Sequence, residues 1–124
     1  MKVLVVDDEA SIRLLCRVNL EAAGFEIREV GTRAEVLPAV HDFHPDVVLL
    51  DLMLPGVDPR DEWAVARDLR ADPVAEKLPI VFLSARADLR GAEEEAIPGP
   101  VAYLTKPFNP LELAPTLLRV AKGG

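Results

Sequence analysis

The chain has 124 residues, half of them apolar and 28% charged, and its 21 acidic and 14 basic side chains leave a formal net charge of −7. That length suits one domain that buries roughly two-thirds of its unfolded surface without disulfides or a structural metal, and the composition excludes disordered and fibrous classes. The acidic balance, with its Lys and Arg scattered, argues against direct nucleic-acid binding; no apolar run approaches the ~18 residues of a membrane span, and acidic residues arrive too early for a signal peptide, so the chain reads as cytoplasmic with no membrane partner.

Short runs rich in Val, Ile and Leu alternate with longer segments of helical period, the pattern of βα units around a parallel sheet covered on both faces. In chain order the reading is strand 2–6, helix 10–23, strand 26–30, helix 33–43, strand 46–50, helix 60–72, strand 79–84, helix 87–96, strand 101–105 and helix 110–121. In the first helix Ile12, Leu15, Cys16, Asn19 and Ala23 share a face, and Gly24 fits just past its end. Cys16 has no partner for an internal disulfide and is expected in a reduced core. Asp58-Pro59 followed by Asp61 and Glu62, and Asn109-Pro110 followed by Glu112, read as helix starts. Pro38 and Pro115 fall inside expected helices and predict either local kinks or later helix starts. His41 and His44 lack a third nearby ligand and read as surface or helix-end residues, and Trp63, in helical spacing with Ala66 and Leu69, reads as packing.

Four of the apolar strands end on polar residues: Asp7-Asp8, Asp51, Ser84 and Lys106. In an open parallel sheet these endings meet at one edge, where α/β proteins bind ligands. Two carboxylates about 5 Å apart repel by roughly 3 kcal/mol at an effective dielectric near 20, so the cluster needs a counter-charge. Lys106 and a divalent cation supply it, and hard oxygen donors without His or Cys suit Mg²⁺ or Mn²⁺. An open, water-rich site beside Asp51 at a strand-to-loop junction points to phosphoryl transfer onto that carboxylate, with Lys106 and Ser84 contacting phosphoryl oxygens. Each residue alone has a plainer meaning, since Asp-Asp is often a solvated turn or cap and a lone Asp after a strand a turn former; the specificity lies in the set.

The motifs Val5-Val6-Asp7-Asp8-Glu9, Leu50-Asp51-Leu52-Met53-Leu54-Pro55-Gly56, Leu83-Ser84-Ala85-Arg86 and Tyr103-Leu104-Thr105-Lys106-Pro107-Phe108 make the chain resemble the receiver domains of two-component response regulators, the CheY-like superfamily. The resemblance covers residues 1–121, leaving 122–124 as a short tail. It implies a flavodoxin-like (βα)5 fold with strand order 2-1-3-4-5 and helices on both faces. It also implies a signalling domain rather than an enzyme, in which Asp51 accepts a phosphoryl group from a sensor histidine kinase or phosphotransfer protein. Asp8 would bind Mg²⁺ directly, Asp7 mainly through water, and the Met53 backbone carbonyl would add a ligand. Ser84 and Tyr103 would form the switch, although Tyr103 also reads as a half-buried edge residue. Met53 and Arg86 would tune loss of the phosphoryl group. Output would pass through the fourth helix, fifth strand and fifth helix to an effector protein or output domain, with a phosphorylation-dependent homodimer as one form of it.

The sequence departs from the family pattern in two places. Asp58-Pro59-Arg60-Asp61 looks like a short insertion before Trp63, which predicts an altered loop beside Asp51. Ile97-Pro98-Gly99-Pro100 predicts a truncated or stiffened exit from the fourth helix. An alternative is therefore a phosphorylation-independent, receiver-like protein-binding module. An aspartyl-nucleophile phosphatase would need an acid where Met53 stands, and a flavin-phosphate binder would be repelled by Asp7-Asp8-Glu9.

Overall fold

The β-branched and Leu-rich runs form five strands, β1 (Lys2–Val6), β2 (Glu26–Val30), β3 (Val47–Asp51), β4 (Ile80–Ser84) and β5 (Val101–Thr105), in a computed structural model that describes residues 1–123. All pairings are parallel and the strand order is β2-β1-β3-β4-β5, as the sequence predicts. β3 and β4 are buried along their whole length, which is why they read as continuous apolar runs, whereas the edge strands β2 and β5 are partly exposed. Of the expected tail, Gly124 lies outside the described residues.

Side chains alternate along each strand, so the sheet sorts them into two apolar layers. Leu4, Val6, Val48, Leu50, Ile80, Phe82 and Tyr103 pack with α2 (Val36–Phe43) and α3 (Ala64–Ala71). Val3, Val5, Val47, Leu49, Val81, Leu83 and Leu104 pack with α1 (Ala10–Ala22) and α5 (Leu113–Ala121).

The helices depart from the sequence reading mostly at their ends. A 3₁₀ turn at Arg33–Glu35 precedes α2 and another at Pro110–Glu112 precedes α5, so both begin later than expected. The later starts place Pro38 and Pro115 in first turns, where a missing N–H has no intrahelical acceptor, and neither proline has to kink its helix. Asn109 caps as expected, its side chain accepting from Leu111 N at 3.1 Å. Asp58 does not start α3: its Oδ1 accepts from Arg60 N at 2.9 Å in a local turn, and the helix begins only at Ala64. In α1 the fully buried line is Cys16 and Leu20, while Leu15 is 37% exposed. Gly24 follows α1 with φ of 91°, and His44 ends α2 with φ of 52°.

The helix expected at 87–96 is the largest difference. It consists of a 3₁₀ turn at Ala87–Leu89 and a single-turn α4 (Glu93–Ala96), after which Ile97 is extended and buried. Arg70, near the end of α3, holds the segment that leads from α4 into β5. Its Nε donates to Pro98 O at 2.6 Å and its Nη1 to Leu78 O at 2.8 Å. Gly99, with φ of 90°, passes so close that a Cβ there would sit 3.0 Å from Arg70 Nη2. The Pro98-Gly99-Pro100 segment is thus shaped by its own φ constraints and clamped by α3.

Candidate functional site

Asp7 follows β1 and stays tied to the sheet, its N–H donating to Val30 O at 3.1 Å. The β1–β3 register pairs Val6 with Leu50, so Asp7 and Asp51 come next on the two strands and point to the same face. Lys106, one residue past β5, is tied by its N–H to Ser84 O at 2.8 Å and reaches back over that face. Oxygens of Asp7, Asp8 and Asp51 lie within 4.8 Å of one another. Lys106 Nζ sits 2.9 Å from Asp7 Oδ2, 3.4 Å from Asp51 Oδ2 and 3.6 Å from Glu9 Oε1. Three of the four expected strand ends, spanning nearly the full length of the chain, therefore converge, while the hydroxyl of Ser84, the fourth, makes no hydrogen bond to this cluster.

The electrostatics follow from burial. Asp7 and Asp51 are almost wholly enclosed while Asp8 is exposed. Burial and the neighbouring Asp7 charge hold the Asp51 carboxyl above the usual carboxylate range, against the opposing pull of the Met53 N–H and Lys106. For Lys106, burial works against the ammonium, but the Asp7 hydrogen bond and the charges of Asp51, Asp7 and Glu9 outweigh it and hold its pKa above the ordinary lysine value. Met53 N donates to Asp51 Oδ1 at 3.0 Å, which orients the carboxylate at the start of the loop.

The donor set fits a hard divalent cation: clustered carboxylate oxygens, one of them on an exposed residue, with no His or Cys among them. Both oxygens of Asp7 already accept, Oδ1 from Glu9 N at 2.9 Å and Oδ2 from Lys106, and so do both of Asp51, from Met53 N and Lys106, which leaves Asp8 with the freest lone pairs.

Ser84 and Tyr103 lie on the opposite face of the sheet from the carboxylates, with Phe82 beside Tyr103 across the β4–β5 pair in the layer that meets α3. Both converge on the backbone of Arg86. Its N–H donates to Ser84 Oγ at 3.1 Å, and its carbonyl accepts from Tyr103 OH at 2.6 Å. Tyr103 is buried with its ring turned inward rather than half-buried, and burial raises its phenol pKa above the usual value. The Arg86 guanidinium is paired with Asp88 at 3.0 and 2.8 Å. Trp63 packs edge-on against Phe82 with ring centroids 5.0 Å apart, as its spacing suggested. His41 Nε2 lies 2.8 Å from Asp72 on the surface, and Cys16 is fully buried. Sequence reasoning missed Glu9 as a partner of Lys106, Arg13, whose Nη1 donates to Asp7 O at 2.7 Å, and the backbone role of residue 86. Glu9 alone carried a visible signal, as the third acid of an acidic run beginning at Asp7.

Comparison with known proteins gives this geometry its context. The response regulator receiver domain family matches residues 3–117. The DNA-binding response regulator MtrA of Mycobacterium tuberculosis is 41% identical over 112 residues, 90% of this chain and 46% of that protein. The phosphate regulon transcriptional regulatory protein PhoB of Pseudomonas aeruginosa is 37% identical over 120 residues, 97% and 51% of the two chains. The chain thus spans about half the length of these relatives. Among solved structures, the chemotaxis response regulator CheY4 of Vibrio cholerae superposes with a TM-score of 0.82 at 30% identity, covering 96% of this chain and 97% of that one. The receiver domain of the sensor histidine kinase PA1611 of P. aeruginosa, solved with a magnesium ion coordinated in its active-site cleft, gives 0.81 at 26% identity, covering 98% and 97%. With the fold, the strand-end acids and the lysine in place and the family matched over nearly the whole chain, the chain belongs to the response regulator receiver domains.

Proposed function

We propose that this chain is a phosphoacceptor of two-component signalling, in which Asp51 takes a phosphoryl group from a phosphohistidine on a sensor kinase or phosphotransfer protein. An Asp51 carboxylate oxygen forms the new O–P bond, the P–N bond to the histidine breaks, and an acyl phosphate and a free imidazole result. The observation that carries this reading is the convergence of Lys106 on both Asp7 and Asp51 within a trio of carboxylates.

A bound Mg²⁺ or Mn²⁺ would neutralise charge building on the transferred oxygens. Asp8 would hold it directly, Asp51 and the Met53 carbonyl would complete the protein ligands, and Asp7, to which Lys106 sits closer at 2.9 Å than to Asp51 at 3.4 Å, would act mainly through water. Lys106 would release its contact with Asp51 to pair with the phosphoryl group, which brings stronger acceptors into its reach. Ser84 and Tyr103 serve as the switch: drawing the Ser84 hydroxyl to the phosphoryl group frees the Arg86 N–H and disturbs the segment that Tyr103 holds. The outcome is a changed α4-β5-α5 face, which a downstream effector, an output domain or a second copy of the chain reads. Met53, 40% exposed beside Asp51, and Arg86 set how fast water removes the phosphoryl group.

Incubation with acetyl phosphate and Mg²⁺, followed by intact-mass measurement, tests the reading. The wild type should gain the mass of one phosphoryl group and Asp51→Ala should not. A gain that persists in Asp51→Ala would remove the nucleophile assignment. A wild type that stays unmodified by acetyl phosphate and by a histidine phosphodonor would favour the phosphorylation-independent binding module.

A further inference from the structure

Arg13 is none of the groups that contact metal or phosphoryl oxygens, yet it touches the backbone of the site. It lies in the first turns of α1, and its guanidinium is divided between two partners, one just past β1 and one on β2. Nη1 donates to the carbonyl oxygen of Asp7 at 2.7 Å, and Nε pairs with Glu29 Oε1 on β2 at 3.2 Å. Glu29 is itself held by Arg17, whose Nε bonds its other oxygen. Gly31 gives the guanidinium its room. A Cβ there would stand 3.3 Å from Arg13 Nη1, 3.7 Å from Asp7 O and 3.9 Å from Asp8 Cα.

The Asp7 carbonyl lies in the same rigid peptide plane as the Asp8 nitrogen, so holding that oxygen fixes the direction in which the chain enters Asp8. Asp7 needs little further help, because its N–H and both carboxylate oxygens are engaged. Asp8 is exposed, and its carboxylate takes no hydrogen bond from another described residue. Its aim therefore depends on the peptide that precedes it.

We propose that Arg13 is a positioning residue for the cation site, aiming the Asp8 carboxylate through the Asp7–Asp8 peptide while Glu29 anchors the guanidinium. The inference rests on the Mg²⁺ role proposed for Asp8 and assigns the orientation of that ligand to a residue no ligand motif contains. Partners that orient ligands without touching the metal typically matter by 10- to 100-fold in metal affinity. A cation this close to the site also repels a dication, so charge and positioning have opposite signs: loss of the charge tightens Mg²⁺ binding, and loss of the grip weakens it.

Calorimetric titration of Mg²⁺ into metal-free protein decides between them, with thermal unfolding of each variant as the check on folding. The wild type should bind Mg²⁺, and Arg13→Gln should bind it about 10-fold or more weakly. Arg13→Lys keeps the charge but cannot span Asp7 O and Glu29 together, so it should also weaken binding instead of rescuing it. Gly31→Ala leaves Arg13 in place and crowds its Nη1, and should weaken binding by a smaller factor. Binding in Arg13→Gln as tight as wild type, or tighter, overturns the proposal. If Arg13→Gln does not fold, Arg13→Lys and Gly31→Ala decide it, and wild-type affinity in both overturns it. A wild type that binds no Mg²⁺ overturns the cation role itself, and this inference with it.

Discussion

Lys106→Met is the perturbation whose cost the structure fixes best. The ammonium lies 2.9 Å from Asp7 and 3.4 Å from Asp51, contacts worth about 6 and about 5 kcal/mol of gross attraction at an effective dielectric near 20. Asp7 and Asp51 are themselves within 4.8 Å and repel by about 3 kcal/mol on the same scale. The gross figures overstate the loss, because the variant no longer desolvates an ammonium and one carboxylate can take up a proton. Breaking a buried pair on one side typically costs about 3–5 kcal/mol, and that is the expected loss in metal-free buffer by urea unfolding. Mg²⁺ should return part of it. With a competing ammonium gone the variant binds the cation more tightly, and each tenfold gain narrows the stability gap at saturation by about 1.4 kcal/mol. A metal-free loss below about 1 kcal/mol, or a gap that Mg²⁺ leaves unchanged, would refute the claim that Lys106 is the internal counter-charge of this cluster.

Burial first, then the Asp7 charge, pushes the Cys16 thiol up to about 12 from an ordinary 9.0. The unfolded thiol ionises near pH 9 while the folded one keeps its proton, so stability is intact below that pH and falls above it, by about 1.4 kcal/mol at pH 10; urea unfolding at about pH 8 and about pH 10 should show this slope in wild type and lose it in Cys16→Ala. Gly99→Ala forces an L side chain to φ of 90° with its Cβ 3.0 Å from Arg70 Nη2, and should cost about 1–3 kcal/mol. In an Arg70→Met background the same change should cost less, because the contact is gone and only the backbone strain remains; additive losses would show that the two residues are not coupled. Met53→Asn replaces an apolar side chain beside Asp51 with one that hydrogen-bonds water, and should shorten the lifetime of the phosphorylated form by roughly an order of magnitude, a barrier drop of about 1.4 kcal/mol. Decay followed by intact mass after removal of the phosphodonor checks it, and an unchanged half-life rejects a role for residue 53 in hydrolysis.

Legible and illegible features of the sequence divide along a physical line. Asp7, Asp51, Ser84 and Lys106 were legible because each ends an apolar strand, and a parallel sheet brings strand ends together whatever the helices do. Asp51 proved to be the last strand residue rather than the first loop residue, a shift of one that leaves its side chain on the face of Asp7. The helix ends were less legible, since Pro38, Asp58 and Pro115 are compatible with both a 3₁₀ turn and a regular first turn, and tertiary packing selects between them. Arg13, Arg70 and the main-chain role of Arg86 were not legible, and for one shared reason: each acts on, or through, backbone. Arg13 binds the carbonyl of Asp7, Arg70 those of Pro98 and Leu78, and Arg86 offers its own N–H and carbonyl to Ser84 and Tyr103. Every residue has a carbonyl, so no residue type marks such a partner, and only the fold selects which one is met. Residue 86 matters most in this respect. The carboxylates and Lys106 occupy one face of the sheet and Ser84 and Tyr103 the other, so under the proposed function a phosphoryl group on Asp51 would have to be felt across the strand ends. The main-chain bonds of Arg86 are where the two residues of the second face meet, and they require no particular side chain to do so.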